Sequence, residues 1–455
     1  MPSEWAVVEQ ELFEECGFWK RFTGEARRPA THWPMRMYWF CRALVRAVML
    51  SIGWYRREPR KPEPSQPCDI LLIYMTDNQR RAISPWLRLT ARVQTASWMS
   101  DADWEISWRR CGALSLRSLL PVYRLLMRRG DREATIPWLE DFVRYRVGLQ
   151  LASDLFSRAK PRVIVVSNDH SGMYRAFLRV ARACGCRIVY TQHASIGKNF
   201  PPLNFDLTML DGVQAYLQYR ASGTPRGPIV ITGRQRPTSH GSQQASATDL
   251  RLGLATNWDD SLLEWIPLLH RVGKQLPGAV LRCHPAETRK YVWRFLCRLC
   301  GIRVDSGSLD EFLRATSVLI SGMSGIILDA ALQGVPCLMK LPAVRATGTV
   351  GDYYGYEKFG LCKPFHDLDD LQALVASRTT QRTDFERVGA YEAGLVQVPD
   401  EEKRAALDLF IASLEDGRDV RGELAKRYAR VEHQGVELFV SSEYAGLCER
   451  YGWLS

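Results

Sequence analysis

The sequence predicts an α/β protein made of two doubly wound halves, and three observations carry that reading. Short runs of β-branched and aliphatic residues recur along the chain, each followed by a helical stretch, as in a parallel sheet covered on both faces. The runs fall into two series, separated by a Ser/Gln/His/Gly-rich stretch from Arg234 to Thr248. Polar residues cluster where the runs end, and in open α/β sheets that carboxyl edge is where ligands bind. The fold class expected is two Rossmann-like domains with a cleft between them and an N-terminal helical extension.

In order along the chain, residues 1–66 form the extension. Its first thirty residues are charged and carry no apolar core, so no cleavable signal peptide is expected. Met35 to Trp54 is apolar and aromatic but is interrupted by Arg36, Arg42 and Arg46, which argues against a spanning helix. Arg42 and Arg46 share a helix face, Trp33, Tyr38, Trp39, Trp54 and Tyr55 bracket the segment, and Arg56, Arg57 and Arg60 follow. That pattern predicts an interfacial helix contacting an anionic membrane surface through residues 35–58, with packing onto the protein itself as the alternative. Pro59 to Pro67 reads as a linker.

Residues 67–240 read as the first domain. Asp69 to Met75 is a strand ending in Thr76-Asp77-Asn78, and residues 79 to 160 are mostly helical in pattern. Strands follow at Val163–Val166, Arg187–Tyr190, Leu207–Leu210 and Pro228–Gly233, the first ending in Ser167-Asn168-Asp169-His170 and the second in Thr191-Gln192-His193-Ala194. Residues 241–398 read as the second domain, with strands at Leu252–Thr256, Ala279–Arg282 and near Ile302. A helix from Leu309 then leads to a strand, Gly/Ser turn and helix at Val318 to Pro336. Residues 399–455 read as a helical, charged tail.

Composition narrows the function classes. The 455 residues are 46% hydrophobic and 24% charged, as in an ordinary globular protein. The formal net charge is +11, carried mostly by clustered arginines, which suits membrane surfaces or phosphorylated ligands. No nucleic-acid-binding motif is recognisable, so nucleic acid is not an expected partner. The twelve cysteines lack framework spacing and read as reduced thiols of a cytoplasmic protein. Cys297-Arg298-Leu299-Cys300 lies in a helical run, and like Cys184-Gly185-Cys186 it is expected to pack rather than to bind metal. Neither a P-loop nor a Gly-x-Gly-x-x-Gly fingerprint occurs. No metal site is assigned, and no resident cofactor is expected.

The candidate chemistry sits at strand ends. Ser321, Gly322, Ser324 and Gly325 fall where a strand gives way to a helix. Free N–H groups and the helix dipole there attract phosphate, with Asp329 placed to reach a ribose. His193 can take a proton from an acceptor hydroxyl or donate to a phosphate, and Lys198 adds charge beside it. His284 precedes Pro285, which fixes an extended backbone. Asp169 is a possible carboxylate base, with helix capping by Asn168, Asp169 or Ser171 as the alternative. Asp77 is similarly placed.

The ordered set of motifs resembles GT-B glycosyltransferases of the bacterial surface-polysaccharide type. It is similar to the CDP-glycerol glycerophosphotransferases, the capsule and lipopolysaccharide Kdo transferases, and the bacterial sialyltransferases. The landmarks are Thr191-Gln192-His193, Ile231-Thr232-Gly233, Leu254-Ala255-Thr256-Asn257-Trp258, Arg282-Cys283-His284-Pro285 and Ser321-Gly322-Met323-Ser324-Gly325. Ala194 stands where glycerophosphotransferases usually have Gly. The resemblance implies an acceptor-side role for His193, donor contact by His284, and donor-phosphate binding by Ser321 and Ser324.

The expectation is therefore an inverting, metal-independent transferase with Asp169 or His193 as base. It would use a nucleotide-activated donor, CMP- or CDP-linked, and a lipid-linked or glycan acceptor at the inner face of the membrane. The alternatives are a sugar-nucleotide 2-epimerase and a non-catalytic membrane scaffold of the same fold.

Overall fold

Uncharged aliphatic runs become strands buried at every position: Ile70–Ile73 (β1) and Val163–Val166 (β4) have no face left for solvent. Burial on both faces is the mark of a parallel sheet sandwiched by helices. A computed structural model describes residues 33–51, 67–87, 93–99, 102–128, 136–197, 200–234, 251–257, 260–285, 287–341, 354–365, 368–369, 371–379 and 384–454. They divide into two units, 1–235 with 397–446 and 454–455, and 236–396 with 447–453.

The first unit begins with α1 (Trp33–Ser51), followed after β1 by α2 (Asp77–Ile83). Thr76 caps α2 by accepting from the Gln79 N–H at 3.3 Å, so Asp77 lies in the first turn. Strands β2 (Val93–Ser97) and β3 (Trp104–Glu105) then interrupt the stretch that reads as helical. Val93-Gln94-Thr95-Ala96-Ser97 has little strand signal of its own. It becomes a strand by pairing with β1, Ile70 to Val93 through Ile73 to Ala96. Asp103 secures it by accepting from the Thr95 N–H (2.8 Å) and hydroxyl (2.9 Å). Helices α3 (Trp108–Met127) and α4 (Leu139–Ala159) lead into β4. The series continues with α5 (Gly172–Ala183), β5 (Arg187–Thr191), β6 (Leu207–Leu210), α6 (Val213–Ser222) and β7 (Ile229–Ile231).

The second unit runs β8 (Leu252–Ala255), α7 (Leu262–Gln275), β9 (Val280–Arg282), α8 (Lys290–Leu299), β10 (Arg303–Val304), α9 (Leu309–Arg314) and β11 (Val318–Ser321). It closes with α10 (Ile326–Leu332), β12 (Cys337–Lys340), β13 (Lys363–Phe365), α11 (Leu371–Thr379) and α12 (Phe385–Tyr391). Trp265, Trp293, Cys297 and Leu281 lie in its core, and burial raises the Cys297 thiol to about 12. Cys297 is packing material here, not a nucleophile.

The C-terminal segment is not helical throughout, as the sequence suggests. After α13 (Pro399–Asp416) and α14 (Val420–Ala425) comes a hairpin, β14 (Ala429–His433) and β15 (Val436–Val440), and then α15 (Ser442–Arg450). Gln434 and Gly435 turn it with φ of 49° and 74°, the backbone of a two-residue hairpin loop. β15 adds to the first sheet beside β7. Ala406, Leu407 and Phe410 of α13 enter the first unit's core.

The sheet orders are β14-β15-β7-β6-β5-β4-β1-β2-β3 and β10-β9-β8-β11-β12-β13. Except for β14, every pairing is parallel. Counted within its own series, each sheet contains the order 3-2-1-4-5-6 of a doubly wound nucleotide-binding fold. The order reverses between β1 and β4 in the first unit and between β8 and β11 in the second.

The N-terminal helix packs on the protein along one side and keeps Tyr38, Leu44, Val45 and Val48 exposed on another. α1 packs on α3, with Phe40 edge-on to Tyr123 at 4.9 Å. Its two same-face arginines, Arg42 and Arg46, each about half exposed, reach Glu140 of α4 at 3.3 and 2.9 Å. Residues 52–58 of the expected membrane segment lie outside the described residues. Among the described residues no helix is long and apolar enough to cross a membrane.

Candidate functional site

At the first switch point, β4 ends in Ser167-Asn168-Asp169-His170 and α5 begins. Asn168 braces the turn ahead of the helix, its Oδ1 accepting from the His170 N–H (3.2 Å) and the Ser171 N–H (3.0 Å), while Ser171 holds the N-cap position of α5 without a capping hydrogen bond from its side chain. Asp169 is thereby spared for another task. Its carboxylate is buried and held on both sides: Tyr219 Oη donates to Oδ2 at 2.8 Å, and His170 Nδ1 lies 3.0 Å from Oδ1. Tyr190 Oη lies 2.9 Å from Tyr219 Oη. An ionised carboxylate only accepts, so the chain runs one way: Tyr190 donates to Tyr219, and Tyr219 donates to Asp169. Burial, and then the Asp169 charge, push both phenols well above their usual range, so they stay protonated donors. His170 donates Nδ1–H to the same carboxylate, while its ring keeps 28% of its surface open. Phe200 stands edge-on to that ring at 4.7 Å. Gly172 lets α5 start here, because a Cβ at that position would lie 2.3 Å from the Asp141 carbonyl of α4.

His193 follows β5 next door. Its ring is half-buried, and Nδ1 is buried without a hydrogen-bond partner. Burial, with the nearby His170 and Arg234 charges, drives its pKa down to about 4. At neutral pH it is therefore uncharged. Gln192 braces the loop, donating to the Ala194 carbonyl (2.9 Å) and accepting from the Asp211 N–H (2.9 Å). Beyond β6 and β7, Arg234 binds Asp211 through Nε (2.7 Å) and Nη2 (2.5 Å). Ser167 Oγ, Thr191 Oγ1 and Asp211 Oδ1 are buried without partners along the same edge. Such orphaned groups are costly unless a polar ligand meets them. Lys198 lies outside the described residues.

At the second switch point the Ser/Gly turn separates into parts with different duties. Ser321 is fully buried, and its hydroxyl donates to the Ala255 carbonyl at 3.1 Å, tying β11 to β8. Its oxygen is committed inside the sheet. Gly322 makes room for Asp260: a Cβ there would lie 2.4 Å from Asp260 Oδ1 and 2.8 Å from Oδ2. That carboxylate accepts from the Asn257 N–H at 2.6 Å, while Asn257 Nδ2 donates to the Met323 carbonyl at 2.9 Å. A carboxylate repels phosphate and accepts from hydroxyls. The Gly322 side of the turn therefore suits a sugar, and only the Ser324–Gly325 side suits a phosphate. A side chain at Gly325 would meet open space. α10 is two turns long, with Asp329 in its first turn.

His284 ends β9, its N–H donating to Thr256 Oγ1 at 3.3 Å. Burial lowers its pKa, so the ring is neutral and acts as a hydrogen-bonding group rather than a cation. Three residues on, buried Glu287 is gripped by Arg289 (Nε 2.8 Å, Nη2 2.8 Å) and Trp293 Nε1 (2.9 Å). Arg289's hydrogen bonds, against the opposing effect of burial, hold its carboxyl down at about 2. The Asp-x-Asp spacing occurs at Asp101–Asp103 and Asp367–Asp369. Asp103 is engaged by Thr95, and Asp369 by Arg271 at 3.0 Å. Asp101 and Asp367 lie outside the described residues.

The residues that sequence reading passed over are His170, Tyr219 and Asp260. The Asp-His dipeptide directly after a buried strand was a usable signal for His170. Tyr219 and Asp260 had none, because each is joined to its partner only by folding.

The chain has a distant likeness to several solved structures. The calicheamicin glycosyltransferase CalG4 is 11% identical, with 76% of this chain covering 99% of that one at a TM-score of 0.49. UDP-N-acetylglucosamine 2-epimerase from Rickettsia bellii is 13% identical over 75% and 97% of the two chains, at 0.48. MurG of Acinetobacter baumannii is 12% identical over 74% and 97%, at 0.43. At these identities the likeness concerns the fold alone. No protein-family model matches the chain, and no curated protein matches it.

Proposed function

We propose that the protein is an inverting glycosyltransferase that moves a sugar, or glycerol phosphate, from a nucleotide-activated donor to a hydroxyl acceptor. One observation carries the reading: both sheets are doubly wound, and reactive polar residues stand at the switch point of each. The first edge offers a partly open His170 held by buried Asp169, beside orphaned polar groups suited to a sugar acceptor. The second offers a carboxylate for hydroxyls at Asp260 and, for phosphate, a small turn with Ser324 buried and Gly325 exposed.

In this mechanism His170, rather than Asp169 itself, is the base. Asp169 fixes the tautomer with hydrogen on Nδ1, so Nε2 takes the acceptor's proton. The acceptor oxygen bonds to the anomeric carbon, or to phosphorus in the glycerol-phosphate case, as the bond to the leaving phosphate breaks. Negative charge collects on that phosphate, where Ser324, the turn's N–H groups and neutral His284 donate to it. The donor is CMP- or CDP-linked, the acceptor lipid-linked or part of a surface glycan, and the site of action the inner face of the membrane. The proposed reaction is metal-independent.

A thermal-shift screen against CMP, CDP, UDP and GDP tests the donor class. A cytidine nucleotide should raise the melting temperature most, by mass action. No shift with any of the four counts against the proposal. Turnover of a donor without any acceptor, with inversion at its C2, favours the 2-epimerase instead.

A further inference from the structure

α8 is apolar on two faces, one buried and one exposed. Trp293 and Cys297 point into the second unit's core, and Trp293 meets Trp265 of α7 edge-on at 5.8 Å, which sets the two helices side by side. The opposite face of α8 holds Tyr291, Phe295 and Leu299, four residues apart, exposed by 81%, 61% and 68%. α7 adds Leu263, 80% exposed, and Ile266. Scattered apolar residues on a surface need no explanation, but a contiguous stripe does. The stripe is flanked by Lys290, Arg294 and Arg298, with the Arg294 guanidinium 6.0 Å from the Tyr291 ring centre. α8 contains no acidic residue. The adjacent acids are already engaged, Glu264 by Lys340 and Glu287 by Arg289.

We propose that the outer face of α7 and α8 docks on an anionic lipid bilayer. Aromatic and aliphatic side chains on one helical face insert at the headgroup boundary, and flanking arginines bind lipid phosphates. The cationic flank without a carboxylate complements anionic lipid, and the chain's net charge of +11 has the matching sign. The sequence pattern points also to residues 35–58, where Arg42 and Arg46 pair with Glu140 and stay about half exposed. This inference is independent of the transferase reading.

The test is co-sedimentation of the full chain with phosphatidylcholine vesicles, with and without phosphatidylserine. The protein should prefer the anionic vesicles and release in high salt. Arg294→Gln/Arg298→Gln should weaken anionic binding about 30-fold, at about 1 kcal/mol per arginine and 1.4 kcal/mol per tenfold. Phe295→Ser/Leu299→Ser should weaken it at least about tenfold. These side chains are exposed, so circular dichroism should show both variants folded. Arg42→Gln/Arg46→Gln should bind as the parent does. Absence of vesicle binding overturns the proposal, as does equal binding to neutral and anionic vesicles. So does loss in the Arg42/Arg46 variant with retention in the α8 variants. A dimer that Phe295→Ser/Leu299→Ser splits, with no vesicle binding, assigns the face to a second copy of the chain instead.

Discussion

Acidification should destabilise the first unit through His193 in a calculable way. The imidazole titrates at about 4 in the folded protein against 6.5 in the reference state. The folded value is the lower one, so the unfolded chain binds the proton more readily. The stability contribution is present in full above pH 6.5 and is lost as pH falls towards 4. Between pH 7 and pH 5 the loss comes to about 2 kcal/mol, an upper figure because the ring retains some solvent contact. His193→Gln removes the titration while keeping a neutral polar side chain. Urea unfolding of both proteins at the two pH values isolates the effect: the parent should lose about 2 kcal/mol more than the variant. Proton NMR of the His193 ring gives its pKa directly. Equal losses in the two proteins, or a ring that titrates near its ordinary value, would refute the account of the buried edge and of His193 as a neutral group.

Further outcomes follow from the geometry. Asp169→Asn should lower kcat by about 10²–10⁴ with little change in KM, since it disturbs only the tautomer and charge behind His170. Tyr219→Phe should lower it about tenfold by removing one donor to that carboxylate; steady-state kinetics with the donor found in the thermal-shift screen reads both. Ser324→Ala should weaken nucleotide binding by about 1.5–3 kcal/mol in calorimetric titration, while Ser321→Ala should leave affinity unchanged and cost about 1 kcal/mol of stability. Gly322→Ala should destabilise the second unit by about 1–3 kcal/mol, because its Cβ meets the Asp260 carboxylate. Adding Asp260→Ala should restore much of the loss in a denaturant melt, and failure to do so places the strain elsewhere.

The strands that built both sheets were legible because they are self-sufficient signals. Val163-Ile164-Val165-Val166 and Val318-Leu319-Ile320 admit no face for water, so local composition dictates their burial. β2 was missed for the opposite reason, since its neutral sequence becomes a strand only against β1. The hairpin of the tail carried a local signal in Gln434-Gly435, outweighed by the charged helices before it. At the sites, sequence placed polar residues at strand ends, and the structure redistributed their tasks. Asn168 and Asp169 are adjacent and both able to cap, yet Asn168 braces the turn before α5 and Asp169 accepts from the hydroxyl of Tyr219, fifty positions away. Ser321 and Ser324 look alike in the turn, yet sheet pairing aims one at Ala255 and leaves the other outside the sheet.

The sequence by itself therefore determined the two parallel sheets and the edges where chemistry can occur, because hydrophobic periodicity and strand-end polarity act over a few residues. Tertiary structure alone decided which groups at those edges are paired, buried or neutral. Those properties depend on partners brought together from distant segments: Tyr219 to Asp169, Asp260 beneath Gly322, and Glu140 to the arginines of α1.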